Sequence, residues 1–222
     1  ENYMIDLCKE ASKYSFRCAC LNARGAGGSS LKTPKGFHAG KTDDLRDLVL
    51  HIHEKYPDAK LFGVGYSLGA NVLAKYLGEF GDDTKMSAAV VMGNPFNLHI
   101  SSANLSKTWL HKNLFDARIT ANLKRWLAPH REIFEDKLDF EKLDKVATIR
   151  DFDEHYILPV FPEFKTVNDY YENSSSIKVF KNIQIPMLIL HSKDDPICPY
   201  SAVPSYSVNE KPNVITCTTE TG

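Results

Sequence analysis

Gly65-Tyr66-Ser67-Leu68-Gly69 sets one hydroxyl at the centre of a G-x-S-x-G. A serine is a poor nucleophile until its hydroxyl is lifted clear of the chain and paired with a base, and a tight strand-to-helix turn does the lifting. The neighbouring residues predict such a turn. Residues 61–66 read as a short buried strand, and Leu68, Val72, Leu73, Tyr76 and Leu77 then recur near a 3.6-residue spacing in a helix closed by Gly81. Strained backbone is expected at Ser67, with Gly65 and Gly69 free of side chains so that the flanks can approach each other. The helix N-terminus would face whatever Ser67 attacks, making the Leu68 N–H a candidate oxyanion donor.

A serine of this kind needs a histidine base oriented by a carboxylate, in the chain order Ser, Asp or Glu, His. The acid belongs at the C-terminal end of a later strand. Residues 183–190 read as that strand, with Asp194 and Asp195 directly behind it. Asp195 is the favoured acid, because Pro196 fixes the turn that would point it inward; Asp194 is the alternative and otherwise caps the loop. After the earlier strand ending at Met92 only Asn97 is on offer. The base should follow the last predicted strand, 213–218, yet none of the eight histidines lies beyond Asp195. His51 and His53 fall on a helix, and His99, His111, His130 and His155 in the middle of the chain. His191 sits at the base of the acid loop. His38 and Asp43 match an acyltransferase H-x4-D only superficially, since the segment runs into a helix with Thr42 as its expected N-cap.

The elements that must position these groups alternate. Residues 3–12 and 43–56 are amphipathic helices, and 16–21, 61–66 and 86–92 are strands. Helix and strand in turn predict an α/β fold whose mostly parallel sheet is covered on both faces. From 97 to 181 no strand is evident. Helical segments at 101–127, 137–146 and 167–180 carry many aromatics, and a helical cap over the strand ends is expected there. This divides the chain into a core at 1–96, a cap at 97–181 and the rest of the core at 182–222. The glycine-rich loop at 22–31 fits neither G-x-G-x-x-G nor a P-loop and reads as structural.

Bulk properties narrow the function classes. A chain of 222 residues holds one sizeable α/β core. The net charge of −1, with both signs interspersed, leaves no electrostatic footprint for nucleic acid. Five cysteines without framework spacing read as reduced, buried thiols, and no paired C-x-x-C or histidine cluster suggests a metal. No cofactor is expected. No apolar run approaches the roughly 18 residues of a membrane span.

Four stretches together resemble the α/β-hydrolase superfamily. They are N-A-R-G-A-G-G-S at 22–29, F-H-A-G-K-T-D-D-L at 37–45, G-Y-S-L-G-A-N-V-L-A-K-Y-L-G-E at 65–79, and D-Y-Y-E-N-S-S-S at 169–176 leading into the acid loop. The pattern is most similar to the branch of bacterial YheT-like esterases, abhydrolase domain-containing proteins one to three and yeast medium-chain acyl ester synthase/esterases. The resemblance implies an α/β-hydrolase fold and a serine esterase or lipase acting on lipid or medium-chain acyl esters. Acyl-ester synthesis at the same site and a non-catalytic binding module are the alternatives. It further implies that V-I-T-C-T-T-E-T-G at 214–222 precedes a histidine past Gly222, and that a second oxyanion loop precedes Glu1. This stretch alone is therefore expected to be a soluble fragment with little turnover. The parent would be either cytoplasmic or held at a membrane by an N-terminal segment.

Overall fold

A computed structural model describes residues 2–222, apart from the side chains of Asn2, Tyr206 and Ser207. Four strands, β1 (Phe62–Tyr66), β2 (Ala88–Met92), β3 (Met187–Ser192) and β4 (Val214–Thr219), lie in that order in one sheet, each parallel to the next. Tyr66 stands opposite Met92, Met92 opposite Leu190, and Leu190 opposite Cys217. This register brings all four C-terminal ends to one edge, where ligands of parallel sheets bind.

Helices α1 (Asn2–Lys13) and α2 (Asp43–Lys55) precede β1, and α3 (Leu68–Phe80) follows it directly. The periodic face of α3 buries Leu73, Tyr76 and Leu77 against Val91, Phe96 and Ile189. Each such side chain contributes roughly 1.5–3 kcal/mol. Gly81, at φ 50°, ends α3, a conformation that favours glycine.

Between β2 and β3 the described residues form no strand. The chain makes α4 (Leu98–Leu105), a π-helical turn (His111–Asp116), α5 (Ala117–Leu127), α6 (Phe140–Lys145), α7 (Ile149–Val160) and α8 (Val167–Ser174). These helices bury a second apolar cluster that includes Phe134, Leu143, Phe152, Tyr156 and Tyr171, distinct from the cluster under the sheet. A short α9 (Ser205–Asn209) leads into β4. No helix among the described residues is long and apolar enough to cross a membrane.

Several local expectations are corrected. Residues 16–21 are exposed and unpaired, not a strand. Phe16 meets Phe62 edge-on at 5.9 Å and the Arg17 guanidinium lies 3.9 Å over the Tyr56 ring, but no neighbouring strand among the described residues offers a hydrogen-bond ladder. A β-prone run becomes a strand only where another edge pairs with it. β3 begins at Met187 rather than at 183, because the Asn213 amide takes up the Ile183 and Ile185 carbonyls at 3.2 and 2.8 Å. The 101–127 segment is broken between Leu105 and His111.

α7 is absent from the elements expected above; Pro159 lies in its last turn, where it forgoes the N–H bond to the residue-155 carbonyl, and the helix ends one residue later at Val160. The signal available is Thr148, whose hydroxyl accepts the Asp151 N–H at 3.1 Å as an N-cap. Thr42, by contrast, does not cap α2. Its hydroxyl donates to Glu79 on α3 at 2.6 Å. Of the five cysteines only Cys198 is buried, and Cys18, Cys20 and Cys217 are exposed.

Candidate active site

Ser67 joins β1 to α3 at φ 49° and ψ −122°, a left-handed conformation that costs a non-glycine residue about 1–3 kcal/mol. Backbone bonds hold it there. The Ser67 N–H donates to the Met92 carbonyl at 2.9 Å, and the Ser67 carbonyl accepts from Ala70 and Asn71 at 3.0 and 3.2 Å. Leu68 opens α3, so its N–H has no acceptor within the helix.

The two flanking glycines are not equivalent. A Cβ on Gly65 would lie 2.7 Å from the Ala70 Cα and 2.8 Å from the Gly69 carbonyl oxygen, backbone atoms that cannot yield. A Cβ on Gly69 would meet nothing within 4 Å. The expectation that both must lack side chains therefore holds for Gly65 only. Gly65→Ala should cost about 1–3 kcal/mol by overpacking, whereas Gly69→Ala should stabilise by up to about 1 kcal/mol through helix propensity. Denaturant midpoints of the two variants check this, and equal shifts would remove the distinction.

The two candidate acids differ in setting. Asp194 is exposed and accepts a hydrogen bond from the Ser192 hydroxyl. Asp195 is half-buried, and its Oδ1 accepts the N–H groups of Ile197 and Cys198, both at 2.8 Å. Its Oδ2 lies beside Gly93, 3.6 Å from where a Cβ would stand. Gly93 follows Met92, the residue that binds the Ser67 N–H, so the serine turn and the acid loop meet across the ends of β1, β2 and β3. The loop is braced from both sides. His191 Nε2 contacts the Cys198 carbonyl at 2.7 Å, and Asn104 of α4 donates to the Pro196 carbonyl at 2.7 Å.

Cys198 lies between the two groups, a placement that its position in the chain does not reveal. Burial, and secondarily the Asp195 charge, push its thiol up to about 12, while the neighbouring Ser67 hydroxyl works in the opposite direction. The thiol is thus neutral at physiological pH and a weak nucleophile.

Ser67, Leu68 and Cys198 open into a cavity of about 180 Å³ whose other walls come mainly from the helical insert between β2 and β3, with Leu98, Leu123, Trp126 and Ile157 among them. His38 also reaches this cavity. Its Nδ1 accepts the Gly40 N–H at 3.2 Å, its ring packs edge-on against Phe161 at 4.6 Å, and burial lowers its pKa to about 4. An imidazole of that basicity is poorly matched to a general base at neutral pH. Two carboxyls stand in the same wall, Asp116 and Asp153, both buried. Asp116 accepts the Ile149 N–H at 2.6 Å, and Asp153 accepts from the Tyr171 hydroxyl at 2.8 Å. Among the described residues no group of three metal-binding side chains occurs.

Asn71 is another residue that carries no signal in the sequence. Fully buried in α3, it donates to the carbonyls of Ala39 and Ser174 at 3.0 and 2.8 Å and accepts the Ser176 N–H at 3.0 Å. One side chain thus joins the helix behind Ser67 to the 39 loop and to the exit of α8.

Comparison with known proteins agrees with this architecture. The family model described as alpha/beta hydrolase fold matches residues 2–221. Phospholipase ABHD3 of Mus musculus is 32% identical over 216 residues, covering 96% of this chain and 52% of that protein. Monoacylglycerol lipase of Saccharomyces cerevisiae is 32% identical over 228 residues, covering 100% of this chain and 50% of that protein. The chain spans about half the length of these curated relatives. Among solved structures, an alpha/beta fold family hydrolase from Bacillus anthracis superposes with a TM-score of 0.54 at 22% identity, over 90% of this chain and 72% of that one. At that identity the likeness bears on the fold alone.

Proposed function

Because the chain belongs to the alpha/beta hydrolase fold family, we propose that it carries the nucleophile, the acid and the acyl-binding cavity of a serine hydrolase for lipid or medium-chain esters. The observation that carries this reading is Ser67, held at positive φ where β1 meets α3 and opening into an apolar cavity. Both relatives, one named a phospholipase and one a monoacylglycerol lipase, support an ester bond as the target.

In this reading Ser67 Oγ attacks the ester carbonyl carbon as a histidine removes its proton. The Leu68 N–H stabilises the oxyanion, and the alcohol leaves with the transferred proton. Water then releases the acid from the acyl-enzyme. Asp195 orients the histidine through Oδ2, since Oδ1 is committed to its own loop. Gly222, behind β4, packs beside the acid loop, for a Cβ there would lie 2.8 Å from the Ser192 Cβ. Residues 97–181 act as the cap on a core made of 1–96 and 182–222, supported by their separate apolar cluster and by their share of the cavity wall.

The test is covalent. A fluorophosphonate should label the full-length protein, the adduct should map by mass spectrometry to the peptide holding Ser67, and Ser67→Ala should abolish it. Undiminished labelling of Ser67→Ala would place the nucleophile elsewhere.

A further inference from the structure

Three helices of the insert meet in the cavity wall and bring polar groups into a largely apolar space. Asp153 on α7 is 7% exposed, and the Tyr171 hydroxyl from α8 makes its only hydrogen bond among the described residues. That bond occupies Oδ2 and leaves Oδ1 without a protein donor. Ser101 on α4 is 5% exposed, and its hydroxyl has no partner among the described residues. Both residues line the cavity into which Ser67 opens. A purely hydrocarbon ligand would leave both groups unsatisfied, which the burial of polar atoms strongly disfavours.

The geometry points to a hydroxyl-binding recess, in which Asp153 and Ser101 receive an aliphatic hydroxyl group of the ester substrate. This rests on the serine-hydrolase reading and adds a substrate feature to it. A hydroxyl fits because it both donates and accepts, so it can bond Oδ1 of Asp153 and the Ser101 hydroxyl together. A quaternary ammonium would leave Ser101 unpaired, and Arg150 on the same wall opposes any cation. Burial raises the Asp153 carboxyl to about 7, with the Asp116 charge adding to this and the Tyr171 bond and Arg150 acting against it. Near neutrality both protonation states are therefore populated, and a hydroxyl serves either one by donating to the carboxylate or accepting from the acid.

The hydroxyl could sit on either side of the scissile bond, so the experiment has two arms. Full-length protein is assayed for kcat/KM on a monoacylglycerol against the methyl ester of the same acid, and on an ω-hydroxyacyl methyl ester against its unhydroxylated counterpart. The wild type should prefer the hydroxylated member by at least about tenfold in one arm, which identifies the side. Ser101→Ala combined with Asp153→Ala should reduce that ratio to about threefold or less, and Ser101→Ala alone, which leaves the Tyr171–Asp153 bond intact, should lower it part of the way. A merely structural role would lower both members of a pair alike and leave the ratio unchanged. No preference in either arm, or a preference unchanged in the double variant, overturns the recess. Fluorophosphonate labelling at Ser67 in the same preparations separates the two levels: labelling without preference overturns the recess alone, and absent labelling overturns the hydrolase reading with it.

Discussion

Asp195→Asn in the full-length protein is expected to lower kcat for ester hydrolysis by about 10³–10⁴-fold, the scale seen when a triad carboxylate becomes an amide. An amide at 195 could still accept the Ile197 and Cys198 N–H groups through its oxygen, so the loop keeps its shape. Its nitrogen, however, would then face the place where Oδ2 now lies beside Gly93. A donor there repels an imidazole N–H, favours the wrong tautomer and offers no charge to stabilise the imidazolium. KM should change little, since the substrate cavity is untouched. Asp194→Asn is the control: it is exposed and, among the described residues, its carboxylate bonds only to the Ser192 hydroxyl, so its kcat should stay within about threefold of wild type. Steady-state kinetics on one chromogenic ester decides the matter, and the reverse ranking would transfer the acid role to Asp194.

Asn71→Leu should destabilise the full-length protein by about 3–5 kcal/mol, a large part of the 5–15 kcal/mol that holds a typical domain together. Leucine is no smaller than asparagine, so no cavity explains the loss. What remains is unpaired backbone. The Ala39 and Ser174 carbonyls lose a donor and the Ser176 N–H loses its acceptor, all in a site closed to water. Asn71→Ser, which keeps a polar group but cannot span three partners, should fall between wild type and leucine. Urea unfolding measures both. A shift below about 1 kcal/mol for Asn71→Leu would mean that these backbone groups find other partners. Because Ser67 and Asn71 share the first turn of α3, with the Asn71 N–H bonded to the Ser67 carbonyl, the same change should slow fluorophosphonate labelling.

Local chemistry explains what could be read from the chain alone. The elbow was legible because each of its requirements is a short-range one. An apolar run, a tight turn and a periodic apolar face lie within 22 residues, from 60 to 81, and Gly65 meets Ala70 only five positions away. The turn at the candidate acid was legible for the same reason, with Asp195 bonding its neighbours two and three residues on. Parallel pairing of the strands followed from their alternation with helices.

Long-range partners explain the rest. Residues 16–21 have strand-like composition, but a strand exists only where a second edge supplies its hydrogen bonds, and the described residues supply none. Thr42 has the residue type of a cap, yet Glu79, 37 positions away, takes its hydroxyl. Asn71 looks like an ordinary helical residue until Ala39 and Ser174 arrive from either side. Cys198 and His38 reach the Ser67 cavity only through folding, and burial then shifts one thiol up and one imidazole down. Where the candidate nucleophile and acid sit along the chain is thus written in residues a few positions apart. What surrounds them is set only once the chain is folded, because burial, pairing and shifted proton affinities depend on groups distant in sequence and adjacent in space.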